Sequence, residues 1–365
     1  MKIAELIDCL EKAAPPHFQE NYDNSRLITG NRAQDVDSAL LCLDCTEEVI
    51  EEAMAHKCRL VIAHHPVLFS GLKKLTGETF VERTLIKAIQ NDIAIYACHT
   101  NMDNVMHGVN HKIASRLGLQ KLRVLDPKPG LLRKLVTFVP FSHLEQIRQA
   151  LFEAGAGHIG NYDSCSFNSA GTGTFRGNEQ SRPFIGKAGI LSQEEEIRLE
   201  VICDNGNEGR VVKALRSAHP YEEPAFDLYP LGNVHPRVGS GLIGEFENPK
   251  PEAEFLAFIK KTFNTTAFRH TRLLSKPIKT LALCGGSGRF LLEKAIASGA
   301  DAFLTSDFKY HDYFEVDGKL LLADVGHFET EQFTPEIFSE LIREKFPKFA
   351  IRLSEIRNNP VHYYI

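Results

Sequence analysis

LCLDCTEEVIEEAMAHKCRLVIAHH, residues 41–65, holds the pattern on which the fold turns. The apolar run Ala39–Asp44 reads as a strand. Thr46 follows as an N-cap, and Glu47 and Glu48 fill a first helical turn, where the helix dipole favours negative charge. Val49, Ile50, Ala53, Met54 and Lys57 continue one helical face, and Arg59–Ala63 is a second strand that ends in His64-His65-Pro66. LALCGGSGRFLLEKAIASGADAFLTSD, residues 281–307, repeats the frame: a strand at Thr280–Cys284, a helix at Phe290–Ser298 and a strand at Ala302–Thr305. In both stretches a strand enters a helix rich in Ala and Glu, and the next strand emerges at a polar tip. We read this as a duplication whose halves face each other. Near-continuous apolar strands punctuated by helices are the mark of sheets covered on both faces, so the class is α/β with helices flanking the sheets.

Outward from that frame, Ile3–Lys12 has helical apolar spacing and Pro15–Gln34 is polar and loop-like. Phe80–Asn91 reads as a helix, Ile93–Cys98 as a strand, and 105–117 as a helix after the polar stretch Thr100–Asn104. Gly285-Gly286-Ser287-Gly288 reads either as a tight strand-to-helix turn or as a nest of backbone N–H groups for an anion; no Lys-Ser/Thr follows to complete a phosphate loop. Between the halves, Lys134–Pro140, Tyr162–Asn168, Arg198–Cys203 and Ala225–Pro230 read as strands, with helices at Ser142–Gly155 and Glu208–Ser217. Two βαβ units in series describe an inserted α+β ferredoxin-like domain at 130–235, dividing the core into halves 1–129 and 236–365. SAGTGTFRGNEQSR, 169–182, has little apolar content and reads as a polar loop.

The chain has 365 residues, enough for two or three units at roughly 100–200 residues each. With 42 Lys+Arg against 47 Asp+Glu, its formal net charge is -5, which argues against nucleic acid or an anionic membrane as partner. No apolar stretch is long enough to cross a membrane. The start, MKIAELIDCLEKAAP, lacks the basic-then-apolar order of a secretory signal, so cytoplasm is the expected compartment. The eight cysteines are scattered, as in a reducing compartment. The tight pair Cys42 and Cys45 reads as two thiols on a buried strand, because no second pair exists to complete a four-thiolate zinc site.

Three polar clusters fall at carboxyl ends of these strands, where α/β sheets bind ligands. They are His64-His65, His99 through Asn104, and Asp324 through Glu331, in which His327 and Glu331 stand four apart on one helical face. Gly326 permits a close backbone approach, and Asp307 with His311 form an outer layer. Three histidines and two carboxylates make the ligand mixture for two borderline divalent ions. Counted against Asp103, Glu331 and a hydroxide alone, two such ions keep about one positive charge, which attracts a phosphate or another anionic oxygen. His219, Tyr221, Glu222 and Glu223 in the insert read either as a ligand site or as a packing loop stiffened by Pro220 and Pro224.

LVIAHHPVLFSGLK at 60–73, IAIYACHTNMDN at 93–104 and DVGHFETE at 324–331 together resemble the Nif-three-like family of dinuclear-metal-centre proteins, homologues of GTP cyclohydrolase I type 2. The resemblance spans almost the whole chain. It implies metal ligation by His64, His65, Asp103, His327 and Glu331, with His99 and His311 as neighbours that shuttle protons or orient substrate. Two divalent ions per subunit are implied, zinc or iron(II) first and manganese third, in a toroidal homohexamer. The implied activity is metal-dependent hydrolysis of a nucleotide or phosphorylated small molecule, such as opening of the guanine ring of GTP. A metal-binding regulatory or adaptor protein without turnover is the alternative. HPYEEPAFDLYPL at 219–231 is similar to the second half of the nitrogen-regulatory and copper-tolerance trimeric domains carried by the long members.

Overall fold

In the computed structural model, which describes residues 1–364, contacts separate two units: Met1–Asp126 with Arg237–Ile365, and Pro127–Pro236. The first unit holds two sheets. One runs in the order Leu27–Thr29, Ala94–Ala97, Leu60–Ala63, Ser38–Cys42, Ala350–Leu353, parallel except at its first strand. The other runs Arg269–His270, Leu321–Asp324, Ala302–Ser306, Ile278–Ser287, Gly239–Lys250, Gln120–Pro127, with its three middle-chain neighbours, Leu321–Asp324, Ala302–Ser306 and Ile278–Ser287, parallel.

Strand residues alternate between faces, and the burial follows that period. Leu41, Ile62 and Tyr96 of the first sheet share one core with Leu281, Leu304 and Ala323 of the second, together with Leu6, Ile113, Phe255 and Phe338 from four helices. Leu40, Val61 and Ile95 turn to the opposite face, against Val49, Ile50 and Leu85. Ala282, Phe303 and Leu322 do the same in the second sheet, against Leu291, Leu292 and Ala295. Both sheets are thus covered on both sides, which is why their strands read as unbroken apolar runs.

Register fixes what lies at the strand ends. Cys42 pairs with Ala63, and Ala63 with Ala97, so three parallel strands finish level. The residues that follow them, Asp44, His64-His65 and His99, emerge side by side. In the second sheet Leu304 pairs with Ala323 and Thr305 with Asp324, bringing Asp307 and the segment from Val325 to the same edge.

Some local expectations change. Thr46 sits at the N-cap of Glu47–Ala55, but its hydroxyl makes no hydrogen bond there. The stretch Thr100–Asn104 is itself a short helix, and the helix that follows it is Val109–Leu117. Most instructive is Gly285-Gly286-Ser287, which continues the Ile278–Ser287 strand instead of turning.

The second unit carries an antiparallel sheet in the order Ser166–Phe175, Ser192–Asp204, Leu132–Pro140, Phe226–Pro230. Helices Leu144–Glu153 and Glu208–Ala218 contribute Ile147, Leu151, Val211 and Leu215 to its core, against Leu135, Val139, Leu199 and Val201. The first part of the polar stretch 169–182 belongs to this sheet. It pairs with its neighbour from Ser166 opposite Val201 to Phe175 opposite Ser192. Its side chains are largely exposed, so the low apolar content marked an uncovered edge strand and not a loop. Among the described residues, no helix is long and apolar enough to cross a membrane.

Candidate metal centre

His64 is fully buried at the end of Leu60–Ala63. Its Nδ1 lies 2.9 Å from the carbonyl oxygen of Cys98. A carbonyl only accepts, so Nδ1 carries the proton and Nε2 presents a lone pair. That Nε2 faces Asp103 Oδ1 at 3.5 Å and Glu331 Oε1 at 3.9 Å. Nε2 of His64 and Oδ1 of Asp103 are both buried and, among the described residues, find no hydrogen-bond partner. Buried polar atoms left without a partner are costly, and a cation placed between these two would satisfy both.

A second group adjoins the first. His65 Nε2 and His327 Nε2 lie 3.0 and 3.1 Å from the same oxygen, Glu331 Oε2. Glu331 therefore turns one oxygen to each group. The ligand atoms of His64, Asp103 and Glu331, of His65, His327 and Glu331, and of His64, His65 and His99 lie within 4.8 Å of one another in each set, and such groups could hold a metal ion.

Each imidazole is fixed through its other nitrogen. His65 Nδ1 meets Asp44 Oδ1 at 2.7 Å, His99 Nδ1 meets Asp23 Oδ1 at 2.8 Å, and His327 Nδ1 meets Asp307 Oδ2 at 2.7 Å. An acceptor on the far nitrogen is what orients a metal-binding histidine and raises its basicity. Electrostatics follow from this geometry. Burial pushes His64 down to about 4. Burial opposes charge on His65 too, but Asp44 and Glu331 raise it to about 10. In His327 the charge of Glu331 and the bond to Asp307 overcome burial and raise it to about 11. Burial acts to raise the Glu331 carboxyl, yet the neighbouring His327 and His65 hold it well below the ordinary carboxylate value. Burial, then repulsion from Glu331, pushes Asp103 well above its ordinary value.

The family described as Duf34/NIF3 (NGG1p interacting factor 3) matches residues 1–360. The chain belongs to this family. A Halalkalibacterium halodurans protein named GTP cyclohydrolase 1 type 2 homolog is 39% identical over 369 residues, covering 99% of each chain. A Bacillus subtilis protein of the same name is 33% identical over 365 residues, covering 98% of this chain and 97% of its own. The crystal structure of a Bacillus cereus protein related to NIF3 superposes with a TM-score of 0.86 at 35% identity, covering 100% of this chain and 99% of that one.

In this member of the family, Gly285 and Gly286 have a structural task. Gly286 has φ 59°, and a Cβ placed there would stand 2.3 Å from Glu331 Oε1 and 3.0 Å from His327 Nε2. The strand passes so close to the ligand groups that only hydrogen fits. Its N–H groups are not free for an anion: Gly285 donates to Asn110 Oδ1 and Gly286 to Thr330 Oγ1. Gly326, at φ 114°, gives the tight entry into His327–Glu331 that its type suggested; a Cβ there would strike Glu329.

His99 joins the cluster, with its ring 5.1 Å from that of His64 and 5.2 Å from that of His65. His311 does not. It is exposed, its ring packed beside Tyr310 and near Phe314, because Asp307 turns at φ 65° and Phe308 is buried, which carries the following residues away from the sheet edge. Asp307 alone serves as the outer layer expected of the pair. Sequence reasoning missed Asp44 and Asp23. Asp44 stood at the end of a strand parallel to the one bearing His65, which is a usable signal. Asp23 came from the polar, loop-like segment Pro15–Gln34, where it also accepts from Ser25 Oγ at 2.8 Å and from the Thr100 N–H at 2.9 Å.

Proposed function

We propose that the chain is a metal-dependent hydrolase with two divalent ions, one held by His64, Asp103 and Glu331 and the other by His65, His327 and Glu331. The observation that carries this reading is the buried, unpartnered pair of His64 Nε2 and Asp103 Oδ1 beside a carboxylate whose other oxygen serves a second histidine pair. Zinc or iron(II) suits this nitrogen and oxygen set, with manganese third. When bound, such ions supply Lewis acidity and a water that ionises near neutral pH.

The chain's own residues do the rest. Asp44, Asp307 and the Cys98 carbonyl hold three imidazoles at fixed tilt. His99, anchored by Asp23, keeps Nε2 for a proton exchanged with the substrate's leaving atom. In the hydrolytic step the oxygen of water ends on the substrate's electrophilic atom. The bond to the leaving nitrogen or oxygen breaks, and that atom takes a proton. Opening of a purine ring, as in the name borne by the curated relatives, is one such hydrolysis. The assembly that belongs to this reading is a cytoplasmic homohexamer.

Metal content measured on purified wild-type, His65→Ala and Glu331→Ala proteins tests the ligands, with a hydrolysis panel run on the same samples. Both variants should lose metal and turnover together. Full occupancy in both would contradict the assignment. A metal-loaded wild type that turns over nothing in the panel favours the adaptor alternative.

A further inference from the structure

We infer that the substrate taken by this cavity is a flat ring compound, uncharged or singly cationic, and that a nucleoside polyphosphate is rejected by charge. The inference rests on the metal-dependent reading above and names its substrate class.

The ligand cluster opens into a cavity of about 1380 Å³. Among the described residues eight carboxylates line it, Glu20, Asp44, Glu82, Asp307, Asp324 and Glu329 being added to Asp103 and Glu331, while the lining holds one guanidinium, Arg269, and no lysine. Arg269 is already paired with Asp324. Two divalent cations therefore leave the formal charge of the lining negative by about three, counted over those carboxylates and Arg269. This reverses the balance obtained when Asp103 and Glu331 are the only anions considered. A cleft lined by one sign of charge concentrates ligands of the opposite sign and repels its own.

Phosphates are ordinarily held by Arg, Lys or free backbone N–H groups. Here the glycine N–H groups nearest the cluster are already bonded to Asn110 and Thr330. What the cavity offers in quantity is aromatic surface. Tyr22, Phe69, Phe80, Phe290, Phe328 and Tyr363 all line it. Phe80 and Phe290 are 60% and 61% exposed, an arrangement that favours covering by a flat apolar ligand. Phe69 stands edge-on to His99 at 5.7 Å, so the aromatic wall begins at the ligand cluster. Rings of this kind stack on planar heterocycles and attract cations to their faces. Asn358 donates to the Asp44 carbonyl and Asn359 to Glu329, which ties the C-terminal segment bearing Tyr363 to the rim.

The test uses the zinc-loaded full chain and two flat chelating probes, neutral 1,10-phenanthroline and doubly anionic dipicolinate, with zinc release followed in time. Raising sodium chloride from about 20 mM to about 300 mM screens repulsion. Release by dipicolinate should then accelerate about threefold or more, while release by phenanthroline should stay nearly constant. GTP at 1 mM should give no protection against phenanthroline. Dipicolinate release that is unchanged or slowed by salt, or protection by GTP at or below that concentration, overturns the inference. A protein that takes up no zinc fails before any probe is added. That outcome removes the metal reading and this inference together, and is distinct from a loaded protein with the wrong salt dependence.

Discussion

Replacing Gly286 by alanine separates the cost of backbone strain from the cost of a displaced ligand. The residue has φ 59°, where an L side chain costs about 1–2 kcal/mol. The new Cβ would sit 2.3 Å from Glu331 Oε1, against 3.4 Å for ordinary contact, so the carboxylate must retreat by about 1 Å. Ligand distances in a working metal site hold to within about 0.2 Å. The carboxylate is shared by both proposed ligand groups, so a shift of that size should exceed the roughly 10–100-fold loss of affinity seen when only an outer partner is removed. Thermal unfolding in the absence of metal should fall by only a few degrees, since each kcal/mol shifts the midpoint by no more than about 2–4 °C in chains beyond roughly 150 residues. Zinc titration by calorimetry should show the large effect. Gly285→Ala is the control: its Cβ would meet Val109 Cγ1 at 3.0 Å and Ile113 Cδ1 at 3.2 Å, and Glu331 only through Cγ at 3.4 Å. It should lose stability and keep most metal affinity. Gly286→Ala binding zinc as tightly as wild type would refute the close-approach argument.

Asp44→Asn removes the charged acceptor from His65 Nδ1 and should weaken zinc about 10–100-fold with the fold intact, read by calorimetry and circular dichroism. Glu82 accepts from the Thr76 N–H at 2.9 Å, the Glu78 N–H at 3.1 Å and the Thr76 hydroxyl at 3.0 Å, led by the Thr76 backbone bond, which holds its carboxyl down to about 2. A lowered carboxyl stabilises fully above its unfolded value of 4.5 and ceases to do so as pH falls through the folded one. Amide exchange at Thr76 and Glu78 should therefore lose protection between about pH 4.5 and about pH 2, and Glu82→Gln should lack that transition. Light scattering should return six times the chain mass for the proposed hexamer; a monodisperse monomer or dimer would remove that part of the reading.

How much of this could be read from the sequence depended on whether the signal was local. His64, His65, Asp103, His327 and Glu331 stood out because each follows an apolar strand, and the level register of parallel strands brings such positions together. The imidazole partners were harder. A carboxylate that holds a distant histidine leaves no periodicity, so Asp23 in an irregular segment was invisible and Asp44 passed as the end of a strand. Gly285-Gly286 looked like a turn because glycine usually marks one; here the constraint came from ligands that approach the strand from another part of the chain. The exposed strand Ser166–Phe175 failed the apolar test for the same kind of reason, since backbone pairing alone sustains an edge. His311 had helical spacing from Asp307, but no helix joins the two.

His65 and Glu331 touch across 266 residues of sequence. At about 5–20 residues per second, a ribosome needs roughly 13–53 s to make that span. During synthesis the amino-terminal histidines exist without the carboxylate that both proposed ligand groups require, so capture of a cation by the finished site waits for the last part of the chain. Under the proposed ligand assignment metal loading would be a late event of biogenesis, and a truncated product would carry His64, His65 and Asp103 without His327 and Glu331.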